Sequence, residues 1–214
     1  RHALDPATAK DLGKLDGMAV RMVREEAWPQ VGDADELYDT LVLCGLLTAE
    51  EGERSGWGHL FERLVKEGRA TKLRTAATIH LWAPLERIPQ LQAIYKDATL
   101  EPAVSIPEAI RSVHPLENPL ADLLRGRMEV EGPSTVADLS QRFGLDPGEV
   151  LHAMLRMEQD GMTFRGHFDP DVDEEQWCER RLLARIHRYT LQKLRKEIEP
   201  VSPAAFMRFL FTWH

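Results

Sequence analysis

The stretch LADLLRGRMEVEGPSTVADLSQRFGLDPGEVLHAMLRMEQDGMTFRGHF, residues 120–168, decides the fold class. Leu120, Leu123, Leu124 and Met128 recur at helical spacing, so the first part reads as a helix over 120–130. The break EGPST follows. Ser134 or Thr135 can cap a second, short helix, VADLSQRF, by accepting its free backbone N–H groups. Gly144 ends that helix and Pro147 fits the first turn of a third, where Val150, Leu151, Met154, Leu155 and Met157 fall near one side. Gly161 stops the third helix, and MTFRGHF alternates as a strand does. Three helices and a β-element make the outline of a winged helix: a helix-turn-helix core with a hairpin wing.

The outline recurs on both sides. Upstream, DADELYDTLVLCGLLT predicts a helix capped by Asp33 or Asp35 and broken at Gly45. WGHLFERLVKEG predicts another that ends at Gly68, and RATKLR and TIHLWAP predict two wing strands around a turn near Thr75. Aligning Gly45-Leu46-Leu47 with Gly144-Leu145-Asp146 brings Gly68 and Gly161 into rough register, with about six extra residues in the first copy. A Pro-rich segment with one helix, Leu85 to Asp97, connects the copies. Downstream, a long helix is expected from about Glu174 to Ile198, with Asp173, Glu174 and Glu175 favouring its N-terminus. Pro200 breaks it, Ser202 caps a further helix, and the wing of this third copy is missing. Phe206, Phe209, Leu210, Phe211 and Trp213 would then form an exposed apolar face. The expectation is a mainly α fold with short β-hairpins, as tandem winged-helix domains. Residues 1–100 hold one unit with N-terminal helices, 101–172 a second, and 173–214 the truncated start of a third.

The totals bound the class. The 214 residues, 43% hydrophobic and 29% charged, suit a soluble globular protein. No run approaches the ~20 apolar residues of a membrane span, and the polar start RHALDPATAK is no signal peptide, so a cytoplasmic setting is expected. The start lacks an initiator Met, which suggests a piece of a longer chain. Cys44 and Cys178, far apart, read as two buried thiols of a reduced compartment, with a structural disulfide as the alternative. A net charge of −8 argues against adhesion of the whole chain to nucleic acid, so any such contact must be local.

One segment supplies a local patch. From Cys178 to Lys196, seven of 19 residues are Lys or Arg and only Glu179 is acidic. At 100° per residue, Arg181, Arg185, Arg188, Arg195 and Lys196 share an arc of roughly 100°. Leu183, Ile186, Thr190, Leu191, Leu194 and Ile198 take the other side. Such a face suits phosphates, which guanidinium groups grip in forked geometry with release of counterions. It equally suits pairing with acidic surfaces of neighbouring units, and both readings stay open. The wings add Arg69, Lys72 and Arg74 in the first unit, and Arg165 and His167 in the second. The third helices of both units mix charges, which fits scaffolding better than base reading.

Other chemistry is missing from the pattern. There is no phosphate loop of the G-x-x-x-x-G-K-[ST] type. DPDVDEEQWCER has Glu174 where a calcium loop needs Gly and Arg180 where it needs Glu. The eight histidines show no metal spacing, no nucleophile–base pair stands out, and the tryptophans at 28, 57, 82 and 177 read as core. No catalytic, metal or cofactor site is expected in these residues.

The segment WCERRLLARIHRYTLQKLRKEIEPVSPAAFMRFLFTWH, residues 177–214, resembles the C-terminal region of the large helicase-related (Lhr) family of superfamily 2 helicases. LARIHRYTL, LRKEIEPVSP and FMRFL carry most of the match. REEAWPQVGDADELYDTLVLCGLLT and LLRGRMEVEGPSTVADLS are similar to that region too. The resemblance implies an appended winged-helix array downstream of two RecA-like motor domains, with ATP, Mg and DNA-repair helicase activity belonging to the parent. It implies DNA or RNA/DNA hybrid backbone and the parent's other domains as partners, with no membrane, and an oligomer of the parent. Uracil-DNA glycosylase activity is also known in the family. The appended region is similar to crosslink glycosylases with a Gln-apolar-Gln motif, which implies part of an associated DNA glycosylase region as a further alternative. Gln90-Leu91-Gln92 matches it in letters only, on an amphipathic helix, and no role is transferred to it.

Overall fold

The computed structural model describes residues 15–111 and 118–197. It is mainly helical, with two small antiparallel sheets of short strands. A first helix, α1 (Gly17–Ala27), precedes the first unit: α2 (Ala34–Cys44), α3 (Ala49–Arg54), α4 (Gly58–Lys66) and the hairpin β1 (Ala70–Arg74) and β2 (His80–Pro84). A 3-10 turn (Leu85–Arg87), α5 (Ile88–Ile94), β3 (Thr99–Glu101) and α6 (Glu108–Arg111) connect it to the second unit. That unit holds α7 (Pro119–Glu131), α8 (Val136–Phe143), α9 (Pro147–Gln159) and the hairpin β4 (Thr163–Gly166) and β5 (Gln176–Glu179), from which α10 (Arg180–Glu197) runs on directly.

Helix starts follow the local chemistry. Asp33, Thr48, Asn118, Thr135 and Asp146 each accept a backbone N–H in the first turn of the helix they cap. Thr48 and Glu51 form a reciprocal capping box. In both units the segment before the second helix bridges to the second wing strand: Thr48 to Leu81, and Ser134 to Trp177. These bridges correct the repeat alignment. The six residues of α3, read as an insertion, are the second helix of the first unit, so α2 corresponds to α7 and α4 to α9.

The second wing corrects the start of the long helix. Gln176–Glu179 is a strand paired with β4, with Phe164 opposite Cys178, and α10 begins at Arg180. All four β5 residues are buried, and the Gln176 side chain accepts the Phe168 and Asp169 amides. A helix would forfeit both the ladder and that burial. Glu179, not the acids at 173–175, caps α10 by accepting the Arg181 and Leu182 amides. The hairpin thus extends past the expected boundary at residue 172. The connector also departs from expectation: of the expected helix Leu85 to Asp97 only Ile88–Ile94 is α-helix, the short α6 follows, and β3 joins the first sheet in the order β2-β1-β3. The expected break at Pro200, the helix after Ser202 and the apolar face at 206–213 lie outside the described residues.

Three apolar clusters hold these elements. One is internal to the first unit and includes Leu37, Leu41, Phe61, Leu64 and Trp82, with the Phe61 and Trp82 rings stacked at 4.1 Å. A larger one crosses between units, joining Leu73, Leu81, Ile88 and Leu91 to Leu123, Met128, Phe143 and Met154. The third pairs α1 with α10 and the second wing through Val20, Val23, Phe168, Leu183 and Ile186. α1, expected with the first unit, therefore packs with the last helix.

Candidate nucleic-acid interface

α10 is positioned by its apolar side. Leu182, Leu183, Ile186 and Thr190 are buried, and Asp16 at the start of α1 accepts from Lys193 while its own amide donates to Thr190. The Lys193 hydrogen bond holds the Asp16 carboxyl below its ordinary value. Leu191 and Leu194, expected on the covered side, are 39% and 50% exposed. They lie in the last two turns of α10, past Thr190, its last buried side chain among the described residues.

The five predicted cations of α10 divide into two groups. Arg181 reaches Glu129 and Glu179, both at 3.3 Å, while 69% of its side chain stays exposed. Arg185 pairs with Glu26 of α1, which also accepts the Tyr189 hydroxyl. Those bonds, Tyr189 first and Arg185 second, hold the Glu26 carboxyl low. Arg188 is exposed, with its guanidinium 5.4 Å from the Tyr189 ring centre. Arg195 and Lys196 are exposed. Among the described residues, Arg188, Arg195 and Lys196 have no carboxylate partner.

The wing cations are more heavily neutralised. Arg69 pairs with Asp35 at 2.5 Å and Glu67 at 3.4 Å and covers the Tyr38 ring. Arg74 sits 3.4 Å from Glu101 on β3, and Arg165 lies between Glu158 and Glu175 at 3.5 and 3.6 Å. Lys72 is exposed beside Glu101 in a shallow groove. The first wing is also not free at its tip. Gly144, left-handed at φ 65°, accepts the Ile79 and Ala77 side chains so closely that an added Cβ would lie 2.9 Å from Ile79. The α10 cations share one helix, while the wing cations stand on two separate hairpins.

The most concentrated charge is internal, and sequence reading missed it. Arg127, 1% exposed at its side chain, donates from both terminal nitrogens to Glu51, at 2.6 and 3.3 Å, and from Nε to Glu131 at 2.5 Å. It also reaches the Leu46 carbonyl at 3.2 Å. Arg142 closes the set on Glu51 at 3.2 Å and Glu131 at 2.7 Å, and bonds Asp138. Burial alone would raise the Glu51 carboxyl, but Arg127, the Thr48 amide and Arg142 together hold it low. The network ties α3 of the first unit to α7 and α8 of the second. Only the i,i+4 spacing of Arg127 to Glu131 and of Asp138 to Arg142 was visible in the sequence.

The remaining motifs resolve as structural. Gln90, 7% exposed, bonds Arg87, Asp122 and the Pro119 carbonyl, while Gln92 faces outward, so Gln90-Leu91-Gln92 forms no common site. Asp169, in the calcium-like stretch, pairs with Arg24 and accepts the Asp171 amide. Among the described residues no cluster of His, Cys, Asp and Glu could hold a metal, and no helix is long and apolar enough to cross a membrane. Cys44 and Cys178 are free and buried.

No protein-family profile matches the chain. The whole chain is similar to part of a Mycolicibacterium smegmatis protein described as "Lhr helicase/ probable uracil glycosylase", with 31% identity over 218 aligned residues. That match covers 100% of this chain and 14% of the relative, so the chain spans about one seventh of the protein it resembles.

Proposed function

We propose that this chain is a nucleic-acid-binding and scaffolding section from the C-terminal region of an ATP-dependent DNA-repair helicase of the large helicase-related family, in a bacterial cytoplasm. Its two units, each a helical triad with a hairpin bridged back to the segment before the second helix, read as winged helices in tandem. Motor chemistry, with ATP and Mg, and any uracil excision belong to other parts of such a protein. This section takes no catalytic role. It holds duplex or hybrid backbone against a stiff support that contacts the parent's other domains.

The observation that carries the nucleic-acid half is the set of exposed cations at Arg188, Arg195 and Lys196, without a carboxylate partner among the described residues, on an acidic chain. The neutralised arginines at 69, 74, 165 and 185 instead favour a second reading, pure assembly, because cations already bound to carboxylates contribute little to phosphate binding. The triple variant R188E/R195E/K196E of the full 214-residue chain separates the two. Fluorescence anisotropy against salt should show the log–log slope falling by about 2–3, at roughly 0.7–0.9 per lost phosphate contact. The melting temperature should stay within about 2 °C, since no ion pair among the described residues is broken. An unchanged slope removes the nucleic-acid reading, and a lowered melting temperature or lost oligomer with unchanged binding establishes assembly.

A further inference from the structure

From the arrangement of charge on α10 we infer that this surface selects double-stranded over single-stranded nucleic acid, gripping one backbone of a duplex from outside its grooves. The inference rests on the phosphate-contact reading above and names its substrate class. Arg181, Arg188 and Arg195 recur at seven-residue intervals. At 1.5 Å per residue that is a cation about every 10 Å over about 21 Å, and the drift is only ~20° per step. The three arginines therefore stand in single file, Arg188 and Arg195 without a carboxylate partner among the described residues and Arg181 shared with Glu129 and Glu179 but 69% exposed.

Along its middle the file has no free cation on either flank; Arg180 at the first residue of the helix and Lys196 in its last turn stand at opposite ends and do not form a second row. Ala184 and the exposed Leu191 lie on one side, between successive arginines. On the other side Arg185 is committed to Glu26. A helix lying in a groove meets both backbones and needs positive charge on both flanks; a single file meets one. Base stacking is not offered either. Tyr189, the helix's one Phe, Tyr or Trp, is held toward α1 by its bond to Glu26 and sits under Arg188, and the half-buried His187 lies off the line of the arginines. Proteins that hold single strands combine charge with stacking platforms. The outer face of α10 presents charge beside the aliphatic Ala184 and Leu191, with no Phe, Tyr or Trp platform facing out, and charge without stacking favours the denser phosphate array of a duplex, with one charge per ~1.7 Å of axis. A DNA duplex and an RNA–DNA hybrid share that chemistry.

The test uses the full chain and three labelled probes of one mixed sequence, about 20 nucleotides long so that they exceed the strip. They are a DNA duplex, the RNA–DNA hybrid and the DNA single strand. Anisotropy at one fixed salt concentration should show at least one of the double-stranded probes bound about fivefold or more tightly than the strand. R188Q/R195Q/K196Q should weaken that binding about tenfold or more and erase the preference. The difference between the two double-stranded probes identifies which one the strip takes. A single strand bound as tightly as both, with the variant still weakening all three, overturns the duplex preference and leaves the strip standing. A variant that changes none of the three overturns the strip itself.

Discussion

Removing the Arg127 guanidinium should be the most damaging single change in the chain. Arg127→Leu leaves Glu51 and Glu131, with side chains 9% and 11% exposed, facing one remaining cation, Arg142. Breaking a buried ion pair from one side costs about 3–5 kcal/mol. The orphaned Leu46 carbonyl adds about 1 kcal/mol. The total, about 4–6 kcal/mol, approaches the whole stability of many domains. Urea denaturation followed by circular dichroism measures it. The electrostatic origin fixes two signs. Glu51→Gln, which can keep the acceptor for the Thr48 amide, should destabilise the native chain but stabilise the Arg127→Leu chain, where it removes an uncompensated buried charge. The pH dependence should reverse in the same way. In the native chain the Glu51 carboxyl sits below its ordinary 4.5, so its contribution is full above that value and is lost as pH falls through the lower folded value. Without Arg127, burial dominates and raises the carboxyl, so the penalty is full near neutrality and is relieved as pH falls. The gap between the two chains should therefore be widest near neutral pH and narrow in acid. A loss below about 1 kcal/mol, a pH-independent gap, or Glu51→Gln destabilising both chains would refute the account.

Two further outcomes follow from packing. Gly126→Ala places a Cβ 2.0 Å from the Leu43 carbonyl oxygen, a backbone atom with little freedom to yield, so thermal melting should show a loss of about 2 kcal/mol or more; a melting temperature within about 2 °C of the parent would contradict this close approach of α7 to α2. Burial pushes the Cys44 thiol up to about 11 and raises Cys178 as well, so neither should react appreciably with Ellman's reagent at pH 8 in the native chain, while both react in denaturant; fast native labelling of either would place it outside the core.

The second unit was the most legible part, because its helices have local start and stop signals: Thr135, Gly144, Pro147 and Gly161 stand where the structure uses them. The first unit was harder because α3, at six residues, is too short to show a period, and its capping box was hidden between two glycines. β5 was misread because QWCE is continuous with a strongly helical run, and its strand state depends on β4 and the Ser134 bridge, contacts distant in sequence. The cationic face of α10 was readable from period alone, but which of its arginines are spoken for was not: Glu26 lies 159 residues from Arg185. The same distance effect hid the Arg127 network, whose central carboxylate is 76 residues away.

The meeting of α1 with α10 has a topological consequence. The Asp16 amide lies 3.1 Å from the Thr190 hydroxyl, so positions 174 residues apart in sequence are neighbours in space. Glu197 follows Thr190 by about two turns, some 10 Å of helix. Polypeptide arriving at residue 15 and polypeptide departing after residue 197 are thus anchored at one edge of the body, as at the neck of a closed loop. A pull applied through those two points would load the α1–α10 seam in peeling and leave the welded pair of triads beyond it largely unstressed.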